Sequence, residues 1–220
     1  NLLVATGRTV VQLLVVGYVL AGVFALRNPL LVVLVIGVMG TIATIVARNR
    51  ISQKIPQLLP LVGGSILTGT ILTLLYTNLL IVRPEEWYEP QTLIPLAGIV
   101  LGNAMNGAAR LVNTLNNSQL EIETHLSLGA TPQQAIVQYR KEAIKAGVIP
   151  TLNTMLVIGV VTLPGIMTGQ MLSGVNPLQA AAYQMVIMFM LALATLVTTS
   201  LVTWGICGKF FNKAAQLILW

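Results

Sequence analysis

Charge is what this chain has least of. Of its 220 residues, 8% are Asp, Glu, Lys or Arg and 55% are hydrophobic, where a soluble domain carries about 25% charged residues. Aspartate is absent altogether, which removes many Mg²⁺ and Ca²⁺ sites and the usual Walker B acid. Cysteine occurs once, at Cys207. An intrachain disulfide and any multi-cysteine metal site are thereby excluded. No Gly-x-x-x-x-Gly-Lys-Ser/Thr run occurs, and Gly63-Gly64-Ser65 lacks the lysine and lies in an apolar stretch. The chain therefore does not hydrolyse nucleotide by itself. A Gly-x-Ser-x-Gly elbow and a His-Glu-x-x-His motif are missing too. Nothing here reads as an enzyme.

What is present in quantity is uninterrupted hydrophobicity. Mean hydropathy is +0.84, and several nearly uncharged runs reach the roughly 20 residues needed to cross a bilayer. A β-barrel would show alternating segments of about ten residues instead. The fold class is an all-α polytopic membrane protein, one transmembrane domain over residues 1–220. Six transmembrane helices are expected, over Val10–Leu26, Leu30–Ala47, Leu58–Val82, Leu93–Val112, Val148–Leu172 and Leu178–Ile206. The chain opens at Asn1 close to Arg8 and a hydrophobic run, with no small-residue cleavage site after it, so sequence upstream is expected to be missing.

The loops orient these spans. Arg48, Arg50 and Lys54 lie between spans two and three, Arg110, Arg140, Lys141 and Lys145 between four and five, and Lys209 and Lys213 after six. With simple alternation all fall on one side, which the positive-inside rule makes cytoplasmic. The C-terminus is then cytoplasmic, and the membrane is the plasma (inner) membrane. This also accounts for the net charge of +6 without nucleic acid, for which no aromatic-interleaved basic patch exists. The opposite side receives Arg27, then Arg83, Glu85, Glu86 and Glu89 beside Trp87 and Tyr88. The aromatics suit an interfacial belt, and the glutamates read either as a solvated loop or as a cation-attracting vestibule.

One polar block stands out, Glu121–Pro150. Leu111, Leu115, Ile122 and Leu126 follow a helical rhythm, and Gly129 stands where such a helix would end in a left-handed conformation. Thr131 can cap the next helix, Pro132 suits its first position, and Gln134 completes a capping box. Ile136, Tyr139 and Ala143 share one face of that short amphipathic helix. The prediction is a helix, a sharp turn and a second helix leading into the membrane. His125 has Glu121 one turn back and could share a metal, but two ligands on a solvated face define no metal site.

Polar groups inside the spans carry more meaning, because lipid leaves them unsatisfied. Asn103, Met105 and Asn106 fall in GNAMNG, and Asn153 opens the fifth span. Pro164-Gly165 then interrupts that span near mid-depth, followed by Met167 and Gln170. Such a break frees backbone carbonyls and marks pathways in transporters. Small and amide residues also serve helix packing, and methionine fills gaps. Pathway and packing both remain open for these residues. No Asp, Glu, Lys or Arg is placed deep in a span, which argues against a proton-coupled carrier.

LSLGATPQQA at Leu126–Ala135, followed by Ile149-Pro150-Thr151, resembles the EAA coupling loop of ABC permeases. GRTVVQLLVVGYVL at Gly7–Leu20, PLAGIVLGNAMN at Pro95–Asn106, IPTLN at Ile149–Asn153 and GVVTLPGIMTGQMLSGVNPLQAAAYQ at Gly159–Gln184 extend the likeness over nearly the whole chain. Together they resemble the FetB-type iron export permease family (UPF0014), which is similar to plant aluminium-tolerance permeases. Asn106-Gly107 departs from the small or apolar residues common after the GNAM motif in that family.

The resemblance implies a seventh, N-terminal span before Asn1. It also implies a second copy of the permease and a separate ABC-type ATPase subunit that binds ATP and Mg²⁺, with no cofactor in this chain. Residues 113–147 become the cytoplasmic coupling segment. Gly129 makes its turn, Leu128, Ala130, Thr131, Pro132 and Gln134 build the inserted element, and Glu123 helps orient it. The implied activity is export of iron or another metal, driven by the partner's ATP hydrolysis. Methionines and amides are poor ligands for a hard cation, so a non-metal solute such as a nucleotide sugar stands as the alternative cargo. An ATP-independent channel or uniporter is the alternative of a different class.

Overall fold

The computed structural model describes residues 2–51, 59–82 and 86–207. The expected basic loop around Lys54, the stretch holding Arg83 and Glu85, and the tail with Lys209 and Lys213 lie outside them. The described chain is helical: α1 Leu2–Leu26, α2 Pro29–Arg50, α3 Leu59–Tyr76, α4 Pro90–Asn117, α5 Gln119–Ser127, α6 Pro132–Val157, α7 Gly165–Leu172 and α8 Pro177–Cys207. A π-helical turn, Thr77–Val82, extends α3. Among the described residues, five helices are long and apolar enough to cross a membrane: α1, α2, α3 with its extension, α4 and α8.

Two helices begin with the same device. Asn28-Pro29-Leu30 and Asn176-Pro177-Leu178 each place an Asn Oδ1 2.9 Å from the Leu amide, which donates to it. Pro fills the first helical position, where no amide proton is needed. The helix following the polar turn starts on Thr131 with the expected capping box.

The expected fifth span is not one straight element. Instead of a short helix followed by a span, α6 runs unbroken for 26 residues, about 39 Å at 1.5 Å per residue. Pro150 lies inside it. A proline there removes one intrahelical bond, which a membrane helix tolerates where neighbours re-satisfy the freed group. The interruption falls where Pro164-Gly165 indicates: the helix stops at Val157, Gly159 turns at φ 80°, and α7 restarts after Pro164. The helix entering the polar block also divides, since α4 runs on to Asn117 and Ser118 turns the chain into α5.

α4 is the hub, packed against α2, α3, α6 and α8, while α1 touches the rest only lightly along α4. Lipid tails are as apolar as Leu, so close packing of small residues replaces hydrophobic exclusion inside the bilayer. Gly40, Gly63 and Gly69 accordingly meet Leu67, Thr44 and Thr198 at distances that leave no room for a Cβ. Two apolar clusters result. One joins Val32, Ile94, Val100 and Ile187. The other joins Ala47, Ile66, Leu111 and Leu115 to Ile122, Ile136, Tyr139 and Ala143 of the polar block. The face expected on α6 is thus buried as expected, and in the same core as the membrane helices.

Candidate functional site

The polar turn is a compact, tied structure. Gly129 adopts φ 90°, its amide donates to the Leu126 carbonyl at 3.0 Å, and the Ala130 amide donates to His125 at 3.1 Å. This pair of bonds closes a helix end through a left-handed residue, which glycine occupies without strain. Gln134 then returns its side chain to the Thr131 amide at 2.9 Å, and its own amide donates to Thr131 Oγ1 at 3.4 Å. Behind the turn, the buried Tyr139 ring lies 6.0 Å from the His125 ring. Desolvation, followed by the charge of Glu121 and a hydrogen bond to it, raises the Tyr139 phenol above its ordinary value. No group of three metal-ligating side chains exists among the described residues.

At the tip, Leu128 is an apolar side chain, 79% exposed. Gly129, Thr131 and Gln134 are exposed with it. Ala130 is half-buried against the core, and Glu123 and Pro132 are half-buried.

From the turn, α6 leads directly to a cavity of about 310 Å³ between α4 and α6. Its two long walls are helical stripes. Asn103, Asn106, Gly107 and Arg110 recur on one face of α4, and Gly147, Pro150, Thr151 and Thr154 on one face of α6, each at i, i+3, i+4, i+7. Arg50 closes one end from the terminus of α2, and Met188 and Leu191 of α8 supply an apolar wall. The Arg50 guanidinium donates to Asn106 Oδ1, and Asn113 Nδ2 donates to the Arg50 carbonyl at 2.9 Å. That second bond satisfies a helix-end acceptor.

The helices converge tightly beside this cavity. A Cβ on Gly147 would lie 2.7 Å from Thr199 Cγ2 and 3.0 Å from the Gly107 carbonyl oxygen. A Cβ on Gly107 would lie 2.9 Å from Thr195 Cγ2. α4 and α6 therefore touch backbone to backbone, wedged by α8. Two threonines of α8 meet these glycines, and each spends its hydroxyl on its own helix: Thr195 on Leu191 at 2.8 Å and Thr199 on Thr195 at 2.7 Å.

Of the polar residues singled out within the spans, the structure brings Asn103 and Asn106 into the cavity. Met105 turns away, toward an apolar groove between α1, α2 and α4. Asn153 is exposed on α6, Pro164 and Gly165 start α7, and Met167 and Gln170 are half-buried along it. Gln170 Oε1 is buried without a partner. Sequence reasoning missed the cavity's Arg50, Arg110, Thr151 and Thr154. Their spacing with Asn103 and Pro150 carried the signal, but Arg50 reaches the site from 56 residues before Asn106.

At the loop before α4, Arg27 shares a cavity of about 170 Å³ with Glu86, Glu89 and Gln91, and its charge offsets part of the negative charge that a cation vestibule would need. The Trp87 and Tyr88 rings stand edge to face at 5.6 Å.

A helical chain with several membrane-length spans, a polar cavity between them and a capped polar hairpin outside them defines a multi-pass membrane protein. Residues 1–211 match UPF0014, described as an uncharacterised protein family, and the chain belongs to it. It is 48% identical to a UPF0014 membrane protein of Synechocystis, over the whole of this chain and 86% of that one. It is 35% identical to the protein ALUMINUM SENSITIVE 3 of Arabidopsis thaliana, over 99% of this chain and 80% of that one. With the probable iron export permease protein FetB of Escherichia coli it shares 32% identity, over 100% and 85% of the two chains. No solved structure matches it.

Proposed function

We propose that this chain is the membrane-spanning subunit of an ABC transporter, driven by an ATPase carried on a separate chain. The observation that carries the reading is the continuity of α6. One helix joins the capped turn at Thr131 and Pro132 to the cavity residues Gly147–Thr154, so a push on the turn reaches the cavity without an intervening hinge. Leu128 at the exposed tip offers apolar surface that a groove on a partner would remove from water. Six spans then cross the plasma membrane, the fifth being the end of α6 from Val148, the break and α7. The hairpin and the C-terminus face the cytoplasm, where the partner holds ATP and Mg²⁺.

The break supports a second copy. Val160 and Val161 are 87% and 76% exposed on irregular backbone, which lipid admits only where protein covers it or water reaches it. In the proposed cycle, ATP closes the partner subunits, the hairpin moves as a rigid body, and α4 and α6 exchange inward- and outward-open arrangements. By likeness to the FetB relative, the cargo is iron or another metal, moved outward.

Gentle solubilisation and pull-down of this chain recover an ATP-binding-cassette protein. Gly129→Val forces a β-branched residue into a left-handed conformation, at about 1–2 kcal/mol. It uncouples ATP hydrolysis from transport while membrane insertion persists. Wild-type coupling in that variant, or a pull-down without such a partner, refutes the reading.

A further inference from the structure

The described residues lining the cavity between α4 and α6 include two positive charges and no carboxylate. Arg110 stands one helical turn beyond Asn106 on α4, and Arg50 arrives from the end of α2. Insertion topology explains why arginines collect at one end of a bundle. It does not explain why two from different helices line one cavity together with amides and hydroxyls. Arg50 gives one N–H to Asn106 Oδ1 and retains most of its five-donor fork. The Asn103 carboxamide adds a neutral donor, while the Thr154 hydroxyl donates to the Pro150 carbonyl at 2.9 Å and leaves its oxygen toward the space. The apolar wall of Met188 and Leu191 lowers the local dielectric, which strengthens every charge-assisted bond made there. At about 310 Å³ the space lies at the lower end of small-molecule pockets.

A bare metal cation meets the wrong sign here, whereas phosphate and carboxylate groups match a guanidinium fork. We infer that this cavity binds an oxyanion, a phosphate or carboxylate group presented by the transported solute, with Arg50 and Arg110 as its recognition pair. The inference rests on the permease reading and narrows it. A metal enters this cavity as an anionic complex rather than as a free ion. The phosphate of an inner-leaflet lipid headgroup offers the same chemistry, and the test separates the two sources.

The full chain is placed in nanodiscs of zwitterionic phosphatidylcholine and titrated with inorganic pyrophosphate, followed by ³¹P NMR. Saturable, salt-sensitive binding is expected. R50Q and R110Q each weaken it roughly tenfold or more, the loss of a charge-assisted hydrogen bond. R110K, which keeps the charge without the fork, retains part of it, so the comparison survives if R110Q melts early. R8Q on α1, which does not line the cavity, binds as wild type.

A second set of discs contains phosphatidylglycerol. Loss of pyrophosphate binding there, with arginine-dependent retention of the anionic lipid, assigns the site to headgroups. Undiminished binding assigns it to a soluble anion. Either result supports an oxyanion site. Absence of saturable binding in both lipids, or binding that R50Q and R110Q leave unchanged, overturns it. None of these outcomes touches the Gly129→Val test, which reads ATPase coupling to the partner, so the two readings fail separately.

Discussion

Gly147→Ala is the sharpest test of the α4–α6 junction. The added methyl would sit 2.7 Å from Thr199 Cγ2 and 3.0 Å from the Gly107 carbonyl oxygen, where relaxed carbon contacts lie near 3.5–4.0 Å. Thr199 cannot swing aside freely, because its hydroxyl is bound to the Thr195 carbonyl at 2.7 Å. The Gly107 oxygen belongs to the backbone of α4. Relief therefore requires the two helices to separate by several tenths of an ångström. Overpacking of this kind costs about 1–3 kcal/mol, a shift of roughly 5- to 150-fold in an unfolding equilibrium. Thr199→Ser deletes the clashing methyl and keeps the hydroxyl. The double variant should recover part of the loss, while the contact with the Gly107 oxygen keeps the rest. The two sites are in contact, so their effects should not add. Gly102→Ala on α4, where a Cβ meets nothing within 4 Å, serves as the control. It should be neutral or gain up to about 1 kcal/mol of helix propensity. Equilibrium unfolding in mixed detergent micelles reads all four proteins. If Gly147→Ala is as stable as Gly102→Ala, or Thr199→Ser restores nothing, the helices do not meet as described.

Two further outcomes concern the hairpin. Thr131→Ala removes the hydroxyl that caps α6 and should cost about 1 kcal/mol locally, seen as roughly fivefold faster hydrogen exchange at the first amides of α6; unchanged exchange refutes the cap. The Tyr139 phenol has a folded-state pKa raised above its ordinary value of 10, so its contribution is present below that value and is lost as pH rises through the raised one. Alkaline titration should therefore loosen the contact between α5 and α6 in the wild type, by exchange rates, and leave Tyr139→Phe unaffected; equal loosening of both proteins refutes the assignment.

What the sequence made legible was local. The Thr131–Gln134 box, the left-handed Gly129 and the interruption at Pro164 each depend on residues a few positions apart, and each is present in the structure. The buried face of Ile136, Tyr139 and Ala143 was readable because that segment has a polar face to contrast with it. The cavity was not. α8 is apolar all round, so its pattern gives no hint of which face meets α4. The encounter of Arg50 with Asn106 and of Gly147 with Gly107 depends on helix rotation and depth, which only packing fixes. The persistence of α6 through Pro150 was hidden for a related reason. A proline marks a lost bond, and whether the helix survives depends on neighbours far away in the chain.

The threonines of α8 carry one more consequence. Because Thr195 and Thr199 have turned their hydroxyls inward to their own carbonyls, the surface they offer to α4 and α6 consists largely of methyl groups. Thr151 and Thr195, 3.5 Å apart, form a long polar contact across it. Such a seam is dense but slippery. One helix can slide along it by exchanging one set of dispersion contacts for another, with little hydrogen bonding to break and remake. In a solvent unable to rescue a broken hydrogen bond, that is a bearing surface.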